Sequence, residues 1–541
     1  MPDQNAHWAA GQPIKIAGAA LLERLKHGWT SNSSLPRDFT EAWQTLFESH
    51  THSLVADANV FEFSTELANI KLRGMDNILC LCIAGDQSET AADLAVWRTP
   101  RALGRTIFII AFTEPATLLF DTIPHDRCLK LAPSDIESLF NSPDPASYIK
   151  QALRNQFSCR RLIPYDIGHS PQSHMFHGRH KQLAELTDNP NTSYAIVGPI
   201  GIGKTTLLRQ YKNLMLKQKD PRAHRLVYVN FAYCTNPDDD FAARFMAMAV
   251  DPSSRSNSVK LEGLAQVIRR LQHVLDGAPE ILCDEVDDFC QGKLFQVLGS
   301  LMREGHCRLL LGGRSQLYRL VTQELQHDTH ALAKVDQSVN RREGGSTIER
   351  RQLAMRLGPL DIEDARQLIA TPFADLGLSI ETSLMDQVLT FTGRIPHLIQ
   401  YCAIQLIEEA MAAGSHDVTV QHFDSVRWNF DAGQFFTDPL RNFDTAETKF
   451  MALICLSKVD TTQVLSITEL QDLAKAEGLD RTLEKTKMLC DELVINNVLS
   501  WAENRYRLAT AALSYYVRDW GYLDQLLYET KLHLGISCAS R

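Results

Sequence analysis

Long apolar runs are scarce in this chain. The stretch Thr106-Ile-Phe-Ile-Ile-Ala-Phe112 falls far short of the ~20 residues a membrane helix needs. The first residues are polar, with no basic segment leading into an apolar one, so no secretory leader is expected. Glycine (28) and proline (21) are too few in 541 residues for a collagen-like or low-complexity chain. The 12 cysteines are scattered. Cys80 and Cys82 form a C-x-C with no second pair at metal-ligand spacing, and Cys283, Cys290 and Cys307 fall in or near apolar segments. Buried thiols are therefore expected, in place of a zinc site or a disulfide framework. His169, His174, His177 and His180 crowd together at irregular spacings with no Cys or carboxylate cluster, which reads as a surface loop. Positive charge is in deficit: 55 Lys and Arg stand against 65 Asp and Glu, a net charge of −10. This argues against coating nucleic acid by bulk charge but leaves room for a local basic patch. A cytoplasmic, reduced protein with no membrane segment is expected.

What is present is an ordinary globular composition, 44% hydrophobic and 22% charged. The length predicts three to four domains. Residues 1–155 read as a small N-terminal α/β domain of unknown role, because Asn77–Ala84 and Thr106–Phe112 are apolar runs of buried-strand length with a helix-compatible stretch between them. Neither run is followed by a glycine-rich turn, and no nuclease or nucleophile pattern is legible there. Residues 156–185 form a connector punctuated by Pro164, Gly168 and Pro171. Residues 186–330 change to strand, glycine-rich loop and helix. Asn340–Ser346 looks like an exposed loop. A helical lid is expected over 351–430, and a last domain over 440–541.

The sharpest signal is Gly198-Pro199-Ile200-Gly201-Ile202-Gly203-Lys204-Thr205, followed by Thr206. It is GxxxxGK[ST] without a gap, entered by the apolar run Tyr194–Val197 and followed by the helix-compatible Thr206–Met215. The glycines let consecutive backbone N–H groups converge on phosphate oxygens, and the helix N-terminus adds partial positive charge. Lys204 would neutralise the β- and γ-phosphates, and the Thr205 hydroxyl would ligate Mg²⁺.

The second half of such a site is an apolar strand ending in acid, which Glu280-Ile-Leu-Cys-Asp-Glu285 supplies. Asp284 is the second metal residue and Glu285 the group that activates or orients water. A solvated acidic cap formed by Asp284, Glu285, Asp287 and Asp288 is the alternative. A third strand, Cys307-Arg-Leu-Leu-Leu-Gly-Gly-Arg-Ser315, should lie beside the acidic one, within reach of the γ-phosphate, so that Arg314 or Ser315 could sense nucleotide state; a surface arginine after a strand is the alternative. Arg303 and Arg308 are candidates for an arginine acting across a subunit interface.

Together these segments resemble the STAND branch of P-loop NTPases, related to AAA+ proteins, with a likeness to prokaryotic STAND ATPases that have one nucleotide domain. Phe176-His-Gly178-Arg179 looks like the family's F-x-G-R box, which implies that Phe176, Gly178 and Arg179 hold the adenine edge. Leu357–Ile369 looks like the approach to the helical lid. Gly393-Arg-Ile-Pro396 looks like the G-x-P motif, whose Pro packs near the base. The helical periodicity of Thr448–Leu456, Thr468–Glu477 and Leu483–Asn496, with a hairpin of Val498–Trp501 and Arg505–Leu508, is similar to the family's winged-helix domain. Some relatives set a His of that domain against the ADP β-phosphate, whereas Tyr506–Leu513 contains none.

The implied fold is an α/β P-loop NTPase core of parallel sheet, with a helical lid and a winged helix, preceded by the N-terminal α/β domain. The implied activity is a slowly hydrolysing ATP- and Mg²⁺-dependent switch in signalling or defence. It would self-associate on binding ATP and engage a protein partner through its N-terminal or winged-helix domain. A DNA-associated AAA+-like ATPase, of the replication-initiator or transposition-regulator type, is the alternative. The last domain, however, carries 12 Lys/Arg against 16 Asp/Glu over 431–541, without a basic stripe. A third reading, nucleotide held as a structural ligand, sits poorly with an intact Asp284-Glu285 pair.

Overall fold

A computed structural model describes residues 51–53, 60–64, 77–83, 107–111, 128–157, 162–165, 175–234, 243, 260–289, 293–320, 352–430, 440, 443, 445–502, 504–519 and 523–536. The expectations for 84–106, His169, His174, Cys290 and 340–346 lie outside the described residues. The chain divides into two compact units: Met1–Asp166 with Ile369–Glu381 and Ile404–His422, and Ile167–Leu368 with Thr382–Ala403 and Phe423–Arg541.

The first unit contains a sheet of β1 (Thr51–Ser53), β2 (Val60–Ser64), β3 (Asn77–Ile83), β4 (Ile107–Ala111) and β5 (Cys128–Leu131), in that order. β1, β2 and β3 pair antiparallel, and β3, β4 and β5 pair parallel. Helices α1 (Pro133–Asn141) and α2 (Pro145–Gln156) follow. Proline opens both helices at a position where its missing N–H is not needed. Asp144 caps α2 by accepting the Ser147 N–H (3.1 Å).

The second unit is built on α3 (His180–Asp188), β6 (Ser193–Val197), α4 (Lys204–Lys217), β7 (Leu226–Asn230), α5 (Leu261–Val274), β8 (Glu280–Asp284), α6 (Lys293–Arg303), β9 (Arg308–Gly313) and β10 (Gln352–Arg356). The five strands are all parallel, in the order β10-β6-β9-β8-β7. Their near-continuous apolar runs suit a sheet covered on both faces. Ala195, Val197, Ile281, Cys283, Leu309 and Leu311 join one core cluster with Leu264, Leu294 and Leu298 of α5 and α6. The alternate residues Tyr194, Ile196, Leu282 and Leu310 are equally buried, as are Leu207, Leu208 and Tyr211 of α4. Cys283 and Cys307 are buried free thiols, as expected.

Two expectations need correction. Helices were expected from residue 351, but β10 first adds an edge strand to the core, with Gln352 beside Ser193 and Arg356 beside Val197. Its alternation of buried Met355 between exposed Ala354 and Arg356 is too short for a sequence period to reveal. Arg308 is not available to a neighbouring subunit. It is 3% exposed and paired with Glu280 (2.9 Å), and it donates to Tyr211 Oη (2.8 Å), Leu186 O (2.7 Å) and Thr192 O (2.8 Å).

Beyond β10 come α7 (Ile362–Asp375), β11 (Ser379–Ile380), α8 (Thr382–Thr392), α9 (Pro396–Ala412), β12 (Asp417–Val418) and α10 (Val420–Trp428). The C-terminal segment has α11 (Ala446–Lys458), α12 (Ile467–Ala476), α13 (Leu483–Ile495) and the hairpin β13 (Leu499–Ala502) with β14 (Arg505–Leu508). Leu465 makes an isolated antiparallel bridge to Tyr506 on β14, at the edge of that hairpin. Ser466 and Glu469 make the reciprocal capping box of α12. Two further helices, α14 (Ala511–Asp519) and α15 (Leu523–His533), were not foreseen. α15 packs on α11, and its Lys531 is joined to Glu477 at the end of α12 (2.8 Å).

Candidate nucleotide site

In an open parallel sheet, ligands bind at the carboxyl ends of the strands where the connections diverge. Here β6 leads to β7 at the far edge, and the chain later crosses to β10 on the other side of β6. The divergence therefore falls at the end of β6, where the glycine-rich loop stands.

The loop is anchored by Ile202, which is fully buried. Gly201 and Gly203 take φ of 73° and 99°, conformations that a side chain would strain. At Gly198 a Cβ would come 2.9 Å from Leu357 O, so only glycine lets the loop pass the end of β10. Gly203 then opens α4, whose first residues are Lys204, Thr205 and Thr206. Lys204 is 4% exposed, and its Nζ donates to Gly198 O and Pro199 O (both 2.9 Å). Burial lowers its pKa, while the carboxylates of Glu285, Asp287 and Asp284 act the other way. Thr205, Thr206 and Ile200 are half-buried.

The acidic residues at the end of β8 are not a solvated cap. Asp284 is 0% exposed and Asp287 5%, and of the four acids Asp288 alone is exposed. Asp284 Oδ2 accepts from Tyr228 Oη (2.9 Å) and Oδ1 from the Glu285 N–H (3.1 Å). Glu285 sits at φ 53°, an uncommon conformation for a residue with a side chain. Burial raises its pKa, opposed first by Lys204. The neighbouring strand end is shaped to this acid. A Cβ at Gly312 would stand 2.8 Å from Asp284 Oδ1, and one at Gly313 3.1 Å from Asp287 Oδ2. Arg314 follows directly, 28% exposed, and its N–H donates to Asp287 Oδ2 (2.6 Å). Ser315 is buried.

The remaining expected residues gather on the approach to the loop. Gly178 (φ 71°) and Arg179 (φ 62°) make a left-handed pair before α3. A Cβ at Gly178 would meet Asp364 Oδ2 at 2.8 Å. Arg179 donates to Ile202 O of the loop (3.3 Å) and to Gly358 O after β10. Burial lowers its pKa, against the pull of Asp361 and Asp364. A cavity of about 310 Å³ opens beside it, lined by Arg179, His180, Gly358, Leu360, Asp361 and Asp364. Phe176 lies edge-on to His180, ring centroids 6.1 Å apart. Pro396 starts α9, and the next residue, His397, donates its N–H to Gly201 O (3.2 Å). Gly393 and Arg394 form a second left-handed pair (φ 61° and 58°), and Arg394 O accepts the Leu360 N–H (3.0 Å).

Three residues of this region escaped the sequence reading as site residues: Tyr228, Asp287 and His397. Tyr228 and His397 act by meeting a distant element in space, which no local pattern announces. For Asp287 the signal was the acidic run itself, set against the two glycines of β9.

The arrangement can receive an anion at the start of α4, with a lysine and an arginine on either side. It can also hold a hard cation, since a hydroxyl and a buried carboxylate, completed by water and phosphate oxygens, form the donor set Mg²⁺ prefers.

No curated protein matches the chain in sequence. Among solved structures it is similar to a Walker-type ATPase of Pyrococcus abyssi (12% identity, 65% of this chain and 99% of that one, TM-score 0.43). It is also similar to the Aeropyrum pernix ORC2 protein in its ADPNP–ADP complexes (13%, 69% and 98%, TM-score 0.45). A third likeness is to the RuvB Holliday junction branch migration motor of Thermotoga maritima (10%, 69% and 99%, TM-score 0.34). Residues 188–321 match the family model of the AAA domain, and this segment, which holds the glycine-rich loop, the acidic strand and Arg314, is a P-loop NTPase domain of the AAA type.

Proposed function

We propose that the chain is an ATP- and Mg²⁺-dependent molecular switch of the STAND type that hydrolyses ATP slowly. One observation carries this reading: the ends of three adjacent strands bring Lys204, Asp284, Glu285 and Arg314 together, and the turn before α9 touches the same loop through His397 and Gly201. Lys204 would exchange its two carbonyl partners for phosphate oxygens. Thr205 and Asp284 would hold Mg²⁺, which neutralises phosphate charge when bound. Glu285 would orient the attacking water, and Arg314 would sense the γ-phosphate.

Adenine would lie near Phe176, Gly178, Arg179 and Pro396. In support, Arg179 ties this segment to the loop and Gly178 sits against α7. ATP and ADP would then bias two arrangements of the helices after β10 by their different contacts. The surfaces exposed in the ATP state would serve self-association or a protein partner. The C-terminal order of helix, bridge, helix, helix and hairpin supports a winged helix used for packing or docking. No helix among the described residues is long and apolar enough to cross a membrane.

The test is ATP hydrolysis by the full chain beside Lys204→Ala and Glu285→Gln, with mass followed by light scattering. Both variants should lose turnover by at least about 100-fold. Glu285→Gln should still bind ATP and shift mass. Tight ATP binding without turnover or mass change would sink the switch.

A second reading, a DNA-associated ATPase, draws on Arg505 and Arg507, which are exposed on one face of β14. It requires a duplex affinity that falls steeply with salt and rises with ATP.

A further inference from the structure

The mechanism outlined above gives no task to Asp287, yet this carboxylate holds more of the site's backbone than any other described acid there. Its Oδ2 accepts the Arg314 N–H (2.6 Å) and lies 3.8 Å from Arg314 Nε. Its Oδ1 accepts the Gln316 N–H (3.2 Å) and the Leu317 N–H (3.4 Å). These amides open the helical turn 315–320, where no carbonyl of the helix itself can accept from them. A buried carboxylate at that end is stabilised by the converging donors and by the helix dipole.

We propose that Asp287 is a positioning residue for Arg314, and that through Arg314 it sets the preference of the site for triphosphate over diphosphate nucleotide. The inference rests on the γ-phosphate role given to Arg314 above.

The geometry separates main chain from side chain. Asp287 fixes the Arg314 backbone to the end of β8 with a short hydrogen bond. The guanidinium stands only near the same oxygen, at ion-pair distance and beyond hydrogen-bond reach. The arginine is thus restrained in direction without being taken up by its neighbour. Its charge already acts on Lys204 and Glu285, so its reach covers the centre of the site. Gly313 is part of the device. A Cβ there would lie 2.8 Å from Leu317 Cβ and 3.1 Å from Asp287 Oδ2, so a side chain would part the carboxylate from the turn it caps. Asp284 and Asp287, on one strand end, are therefore matched by Gly312 and Gly313 on the next. One acid is placed for the metal, and the other for the arginine.

A cap with no further role would lower stability when removed and weaken every nucleotide alike. A positioning residue changes their ratio. The experiment measures the affinities of mant-ATP and mant-ADP, with Mg²⁺, for the full chain and for Arg314→Ala, Asp287→Ala and Asp287→Asn, with a thermal melt of each variant. Arg314→Ala should lower the ATP-to-ADP affinity ratio about tenfold, the effect of losing one charge-assisted hydrogen bond. Asp287→Ala should lower it in the same direction, with mant-ADP affinity unchanged within about twofold. Asp287→Asn keeps one oxygen for Gln316 and Leu317 but loses the acceptor for Arg314. It should fold even where the alanine variant does not, and should lower the ratio as well. A ratio unchanged in Asp287→Asn while Arg314→Ala lowers it would make Asp287 a cap only and overturn the inference, leaving the role of Arg314 intact. A ratio unchanged in Arg314→Ala would overturn both.

Discussion

Glu285 combines a left-handed backbone with a carboxyl that burial makes harder to ionise. Both properties favour a residue kept for chemistry over one kept for stability. The sign of its pH effect follows from the raised pKa. The stabilising contribution is complete below the ordinary glutamate value of 4.5 and is lost as pH rises through the folded-state value. Glu285→Gln should therefore melt with wild type at pH 4 and above it at pH 7. Equal melting temperatures at both pH values would remove the argument from burial. The loop, Asp284, Glu285 and Arg314, whose roles are those proposed above, could be singled out in the sequence because each is a residue type that phosphate or metal chemistry calls for at a fixed place after a strand. Tyr228 was not, since its hydroxyl meets Asp284 only when β7 pairs in register with β8, Asn230 beside Asp284.

Single elements show the same division between local pattern and long-range packing. Strands β6, β8 and β9 announce themselves as continuous apolar runs, whereas β7 and β10, at the two edges of the sheet, carry weaker patterns and were passed over. The opposite end of the sheet is locked by Arg308. One guanidinium joins β9 to β8 through Glu280, to α4 through Tyr211 and to the end of α3 through Leu186 O. Its ring-stacking distance to Tyr211 is 5.6 Å. Removing one partner of such a pair leaves a buried charge, at a cost of about 3–5 kcal/mol. Arg308→Ala should show that loss in urea unfolding. Glu280→Gln, which keeps an acceptor for Tyr211, should lose less. A loss under about 1 kcal/mol in Arg308→Ala would mean the site is reached by water.

Within the second compact unit, the C-terminal helices meet the nucleotide core at a polar contact. Arg319, in the turn that Asp287 caps, pairs with Glu492 of α13 (2.6 Å), and the same carboxylate oxygen accepts from Thr448 of α11 (2.8 Å). The segment after β14 meets α8 separately. Thr510 donates to Phe391 O (2.9 Å), and Gly393 leaves room for Ala509 O, which a Cβ would approach to 2.3 Å. A nucleotide-dependent change at Arg314, as proposed above, would therefore have a short covalent path to Arg319 and thence to α13. Arg319 is one-third exposed, so its replacement should cost only about 1 kcal/mol. Arg319→Ala should speed hydrogen exchange in α13 and reduce any difference there between the ATP and ADP states, with nucleotide affinity kept. Exchange in α13 that still follows the nucleotide in this variant would show that the path runs elsewhere.

Chain chemistry alone pointed to a nucleotide site. A phosphate loop needs glycines, a lysine and a hydroxyl in immediate succession, and an apolar strand ending in acid is likewise written in contiguous residues. The order of the sheet could not be read that way, because which strand lies beside which depends on crossovers and on side chains that pack from both faces. That order sets β9 between β6 and β8 and so brings Arg314 to the site, buries Asp284 and Asp287, and takes Arg308 out of reach of any partner. The reason is physical: hydrogen bonding and burial join residues far apart in the chain, and their free energy exists only once the sheet has formed.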